Sequence, residues 1–143
     1  MIKIDLPSIN EQRRIVFVDR VEKACQQLRD NLNAPYKLAH CSVNPADYGT
    51  SHLATENEGW QAPAPELVEA WFLQFMDLFP EYGTDKKLAA LLGLTGNSCD
   101  RRIRAFRKGE RAVPYEIWRR FLILTGRVNQ DIIPVLAFVE DAR

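Results

Sequence analysis

In the N-terminal part of the chain the hydrophobic positions Val18, Val21, Cys25, Leu28 and Leu32 recur at alternating steps of three and four. That spacing puts side chains on one stripe of an α-helix. Just ahead, in "PSINEQ", Ser8 and Glu11 stand three apart. This is the arrangement of a capping box, in which the hydroxyl takes one orphan backbone N–H and the carboxylate another. The pattern predicts a helix from Ile9 to about Asn33, ending before Pro35. Its apolar stripe needs a partner, either this protein's own core or a second helix.

Residues 34–65 contain Pro35, Pro45, Gly49, Gly59, Pro63 and Pro65 and no sustained period, so they read as a long connection with some local structure. After Pro65 the periodicity returns. Leu67, Trp71, Phe75 and Leu78 share a face, with Phe72 and Phe79 beside it, until Pro80 and Gly83 end the segment; an aromatic stripe at this spacing is core. In "TDKKLAALLGLTGNS", Thr84 is an N-cap, Asp85 suits the positive helix end, Leu88, Leu91 and Leu92 form the buried face, and Gly93 stops the helix. The turn "LTGNS" offers Asn97 or Ser98 as the cap of a further helix that runs to Lys108 and stops at Gly109. Beyond "ERAVP", Ile117, Phe121 and Leu124 share a face with Trp118 adjacent, predicting a helix that ends at Gly126. The final segment, "DIIPVLAFVEDAR", is expected to pack Ile132, Ile133, Val135, Leu136, Phe138 and Val139 against some other surface, with Pro134 as the first residue of a short closing helix.

Composition narrows the class. The chain has 143 residues, 46% hydrophobic and 27% charged, within the range of one ordinary domain and inconsistent with wholesale disorder. No apolar run approaches the ~18 residues needed to cross a bilayer, and the N-terminus lacks the basic-then-apolar order of a signal peptide, so a cytoplasmic location is expected. Cys25, Cys41 and Cys99 are three in number and lack C-x-x-C spacing; they are expected to be reduced and mostly buried. His40, Cys41 and His52 lack a fourth ligand and any recognised spacing, so no metal site is expected and the three read as unconnected polar loop residues. The expected fold is all-α, with an N-terminal amphipathic helix over residues 1–34, a linker over 35–64 and a compact helical domain over 65–143.

The net charge is zero, which taken alone argues against a nucleic-acid binder. Its distribution argues the other way. From Trp60 to Asp100 the acids Glu66, Glu69, Asp77, Glu81, Asp85 and Asp100 outweigh Lys86 and Lys87. From Arg101 to Arg120, eight bases face only Glu110 and Glu116. Placing Asn97 to Lys108 on a helix at about 100° per residue groups Cys99, Ile103 and Phe106 on a buried face. Opposite them fall Asn97, Arg101, Arg104 and Lys108, with Asp100 and Arg107 on one flank and Arg102 on the other. Like charges at Arg101/Arg104 and Arg104/Lys108 repel at helical spacing, which is tolerated more readily when a partner supplies the anions.

A short helix ending "LLG", a tight turn, a cationic helix ending "KG", then "ER-x-VP" and another amphipathic helix resemble the lambda-repressor/Cro-like (XRE-type) helix-turn-helix family. The resemblance covers about residues 66–126. It rests on Leu88, Ala89, Leu92 and Gly93 in the supporting helix, on Ile103 and Phe106 in the recognition helix, and on Gly109, Arg111 and Pro114 after it. The interval from Gly93 to Gly109 is about one helical turn longer than the common family pattern. The resemblance implies a compact helix-turn-helix domain that binds double-stranded DNA, as a transcriptional regulator, with the helix from about Asn97 to Lys108 in the major groove. It makes Asn97, Ser98, Arg101 and Arg104 the base contacts, and Arg107, Lys108 and Arg111 the phosphate contacts. A homodimer is expected, because one such motif reads few bases and operators commonly carry two half-sites.

The opening "LPSINEQRRIVFVDRVEKACQQL" resembles a second family, the helical conserved region of type I restriction specificity subunits, through Leu6, Pro7, Glu11, Gln12, Ile15, Val16, Val18, Asp19, Cys25, Gln27 and Leu28. That resemblance implies an alternative function, an interaction module whose N-terminal helix docks on a restriction-modification subunit or other protein partner. No Ser/His/Asp set, paired-acid motif, phosphate loop or metal signature occurs, so neither an enzyme nor a cofactor is expected.

Overall fold

The capping box expected at Ser8 is formed: Glu11 N–H donates to Ser8 Oγ at 3.2 Å, and Ser8 N–H donates to Glu11 Oε2 at 3.0 Å. The helix it starts, α1, spans Ile9–Asn31. The computed structural model describes residues 2–143, and their contacts divide the chain into two units, one up to Leu38 and one from Ala39 onward. Among the described residues there are five α-helices and no strand. None of the helices is long and apolar enough to cross a membrane.

The first unit is built on α1. No residue of this helix is buried, and Val18, Val21 and Leu28 are exposed. Three pairs link its polar side chains: Lys23 pairs with Asp19 at 2.9 Å, Gln26 donates to Asp30 and Gln27 donates to Asn31, each at 2.8 Å. Cys25 lies on the apolar stripe and is exposed, Cys41 is half-buried, and only Cys99 is buried. The expectation of mostly buried thiols is therefore corrected, because the stripe that carries Cys25 is not covered within its own unit.

The second unit assembles α2 (Pro65–Leu78), α3 (Asp85–Leu91), α4 (Cys99–Lys108) and α5 (Tyr115–Leu124). Pro65 stands at the first turn of α2, where its missing N–H costs nothing. The stripe on α2 buries Leu67, Val68, Trp71, Phe72 and Phe75. These meet Leu88 and Ala89 of α3, Ile103 and Phe106 of α4, and Trp118, Phe121 and Leu122 of α5 in one core. Aromatic rings fill its centre: Trp71 and Trp118 stack with centroids 5.7 Å apart, and Phe72 meets Phe121 edge-on at 4.9 Å.

The segment read as a linker does more than connect. It forms short 3-10 turns at Pro45–Tyr48, Ser51–Leu53 and Glu56–Glu58, and Cys41, Val43, Tyr48, Leu53 and Trp60 pack against the core. Its anchor is His52, which is buried. The indole N–H of Trp118 donates to His52 Nδ1 at 3.2 Å, and that of Trp60 donates to the His52 carbonyl at 3.1 Å. His52 is thus a core residue, not an unconnected loop residue. Arg119 ties the same segment down by donating to the Leu53 carbonyl at 3.0 Å.

The C-terminal expectation is also corrected. Residues 129–143 have no helix or strand, and Ile132, Ile133, Val135, Leu136, Phe138 and Val139 are exposed. The core is completed by the 41–60 segment instead. The start of the tail is held by polar contacts, with Asp131 accepting from Arg119 at 2.7 Å and from the Tyr115 hydroxyl at 2.9 Å.

Candidate nucleic-acid interface

Thr84 begins the relevant stretch as the N-cap of α3, its hydroxyl accepting from Lys87 N–H at 3.2 Å. Asp85 follows in the first turn, where a carboxylate is favoured by the unpaired N–H groups. The helix closes with Leu94 N–H on the Ala89 carbonyl at 2.9 Å and Gly93 N–H on the Ala90 carbonyl at 3.1 Å. This paired closure requires a left-handed residue, which Gly93 supplies with φ +85°. The turn then returns the chain along α3, and Leu92 and Leu94 are buried at its base.

The fourth helix starts at Cys99, two residues later than Asn97. Ser98 occupies the cap position, yet its hydroxyl makes no cap bond; the Ser98 carbonyl accepts from Arg101 N–H instead. Asn97 and Ser98 are both exposed, and their side chains keep their hydrogen-bonding capacity. Further along, Cys99, Ile103 and Phe106 are buried as their i, i+4, i+7 spacing requires. Packing that stripe against α3 and α2 turns Arg101, Arg104 and Lys108 outward, and all three are exposed. At the other end Gly109 takes φ +77°, and a Cβ there would lie 2.9 Å from the Pro65 side chain. Its left-handed backbone and the close approach of α2 both call for glycine.

The outward cations are not equivalent. The side chains of Arg101, Arg102 and Arg111 have neither an ion pair nor a hydrogen bond among the described residues, and Arg102 is half-buried. Arg104 is shared: Nη2 contacts Asp100 Oδ2 at 3.0 Å, and Nη1 lies 3.6 Å from Asp85 Oδ2. This hydrogen bond from Arg104 holds the Asp100 carboxyl below its usual pKa. Lys108 reaches Glu69 Oε1 only at 3.8 Å. Arg107 is different in kind. Its side chain is 13% exposed, and it binds Asp85 Oδ2 at 2.8 Å and approaches Glu69 Oε1 at 3.9 Å.

Of the residues expected to contact DNA, Asn97, Ser98, Arg101, Arg104, Lys108 and Arg111 are therefore on the surface, and Arg107 is drawn inward as a tie between α4, α3 and α2. The outward face has two acids beside it, Asp100 from α4 and Asp85 from α3. Projection of α4 alone finds Asp100 only as a flank and misses Asp85, which belongs to another helix. Arg120, outside the expected set, donates from Nε to the Leu91 carbonyl at 2.8 Å and so ties α5 to the end of α3. Among the described residues no cluster of three or more His, Cys, Asp or Glu side chains has the geometry to hold a metal.

Comparison with known protein families, with characterised proteins and with solved structures finds no match to this chain.

Proposed function

We propose that the second unit binds double-stranded DNA as a helix-turn-helix module, with α3 as the supporting helix and α4 in the major groove, and that the protein regulates transcription. One observation carries the reading. The buried stripe Cys99, Ile103 and Phe106 fixes the rotation of α4, and that rotation turns Arg101, Arg104 and Lys108 outward, with exposed Asn97 and Ser98 just before the helix and exposed Arg111 just after it. Arginine forks match guanine O6 and N7, and asparagine matches adenine N6 and N7. Arg101, near the N-terminal end of α4, is the foremost base-reading residue, followed by Arg104, Asn97 and Ser98. Lys108 and Arg111 serve phosphates. Arg107 contributes by holding α4 against α3, not by touching DNA.

The test is a gel-shift series with genomic DNA fragments in rising salt. A specific band is expected whose affinity falls steeply, with a slope of about −0.9 for each phosphate contact. Absence of any band at low salt, together with capture of a restriction-modification subunit through α1, would instead favour the interaction-module reading.

A further inference from the structure

From Val18 to Leu32 the apolar seam of α1 follows heptad spacing, whereas the preceding a and d positions are Glu11 and Arg14. With Val18, Cys25 and Leu32 at the a positions and Val21 and Leu28 at d, the stripe fits the 3.5-residue repeat of a two-helix coil. None of these residues is buried, and most of the stability of a helix in a protein comes from packing its apolar face rather than from propensity. The charges around the seam point to what that partner is. On the outer face, Asp19 pairs with Lys23, and Gln26 with Asp30. The side chains of Glu22 and Arg29, the e positions flanking the seam, have no ion pair or hydrogen bond among the described residues. They lie seven residues apart, on the same edge of α1 and too far apart along it to pair with each other.

We propose that α1 is a self-association helix: two copies of this chain join α1 antiparallel through Val21, Cys25, Leu28 and Leu32, with Glu22 of each copy facing Arg29 of the other. In an antiparallel pair, a layers meet d layers and e positions face e positions. The register that sets Cys25 against Leu28 of the second copy, and Val21 against its Leu32, brings Glu22 and Arg29 together twice by symmetry. The opposite edge presents Ala24 and Asn31, small and uncharged, which lets the helices approach. A parallel pair would leave Glu22 and Arg29 unmatched, because their g neighbours are Phe17 and Ala24. The surface is therefore self-complementary in one orientation. The inference stands on α1 alone and is independent of the DNA-binding reading.

Charge exchange in the full chain tests it, with molar mass measured by sedimentation over a concentration series. Wild type is expected to dimerise, and Leu28→Lys to be monomeric with unchanged tryptophan fluorescence from the second unit. Glu22→Arg alone and Arg29→Glu alone should each weaken the homodimer by about tenfold or more. Mixing those two variants should restore dimers, since every facing pair is then opposite in sign. A Cys41→Ser protein should also resist oxidative cross-linking through Cys25, which in this register is offset from its counterpart beyond disulfide reach. A monomeric wild type, single variants that dimerise as well as wild type, a mixture that fails to recover, or ready Cys25 cross-linking would each overturn the proposal.

Discussion

Arg107 of α4 donates from Nη2 to Oδ2 of Asp85 on α3 at 2.8 Å, and both side chains are largely shielded, 13% and 14% exposed. The pair links the first turn of one helix to the last turn of the next across the bend between them. The two helices are thus fixed by an ion pair on one side and by the apolar contact of Leu88 and Ala89 with Ile103 and Phe106 on the other. A rigid mutual orientation is what presenting one helix to a groove requires.

Removing the carboxylate should therefore loosen this pair of helices. Asp85→Ala leaves the Arg107 guanidinium shielded without its main acceptor and is expected to lower unfolding stability by about 2 kcal/mol. Urea denaturation followed by tryptophan fluorescence reads this directly. A denaturation midpoint equal to that of wild type would show that the pair does not hold the helices.

Asp100 acts on the surface. It is part-exposed and holds Arg104 at 3.0 Å. Asp100→Asn is expected to leave the unfolding midpoint unchanged, as solvent-exposed pairs contribute little. DNA affinity should rise for preferred and unrelated duplexes alike, because a negative charge leaves the face and the guanidinium is released. Weaker binding would mean that Asp100 orients Arg104 for reading.

His52 gives the fold a pH dependence. Burial, the largest influence, lowers its pKa below the ordinary 6.5; a contact with the Gly49 backbone opposes this and Arg127 reinforces it. The unfolded chain therefore binds the proton more readily than the folded one. Stability contributed by neutral His52 is complete above pH 6.5 and declines as pH falls below that value. Protonation also abolishes the acceptor for the Trp118 indole. The denaturation midpoint should fall between about pH 7 and pH 5 in wild type and change less over that window in His52→Gln. Equal slopes for the two proteins would remove His52 as the cause.

The buried stripe of α4 fixes its rotation, and its cost can be measured. Ile103→Ala should destabilise by about 2–5 kcal/mol, since its side chain is fully enclosed. Cys99→Ala, which deletes one sulfur at the edge of the core, should cost less, and DNA affinity per folded molecule should stay the same. A folded Cys99→Ala protein that had lost binding would contradict the orientation of α4.

Much of this was legible along the chain because it is local. The capping box at Ser8, the stop at Gly93 and the stripe Cys99, Ile103, Phe106 follow from residue spacing and appear as expected. What escaped the sequence depends on partners distant in the chain. His52 lies 66 residues from Trp118, and no local period marks it as core. The segment around His52 packs against the core, whereas the C-terminal apolar run, for all its hydrophobic pattern, is exposed. Asp85 and Arg107, 22 residues apart, could not be paired by projecting a single helix, so a guanidinium that looks available in projection is in fact enclosed. A surface stripe such as that of α1 is legible as a stripe, but its partner is not.

The central claim, that the outward face of α4 reads DNA, is tested most directly by the affinity of Arg101→Ala for a preferred and a scrambled duplex at several salt concentrations, with Arg111→Ala alongside. Arg101→Ala should lose about 1–3 kcal/mol on the preferred duplex and much less on the scrambled one. Arg111→Ala should weaken both equally and reduce the salt slope by about one. Wild-type protein that binds neither duplex at low salt, or an Arg101→Ala protein indistinguishable from wild type on both, would contradict the account.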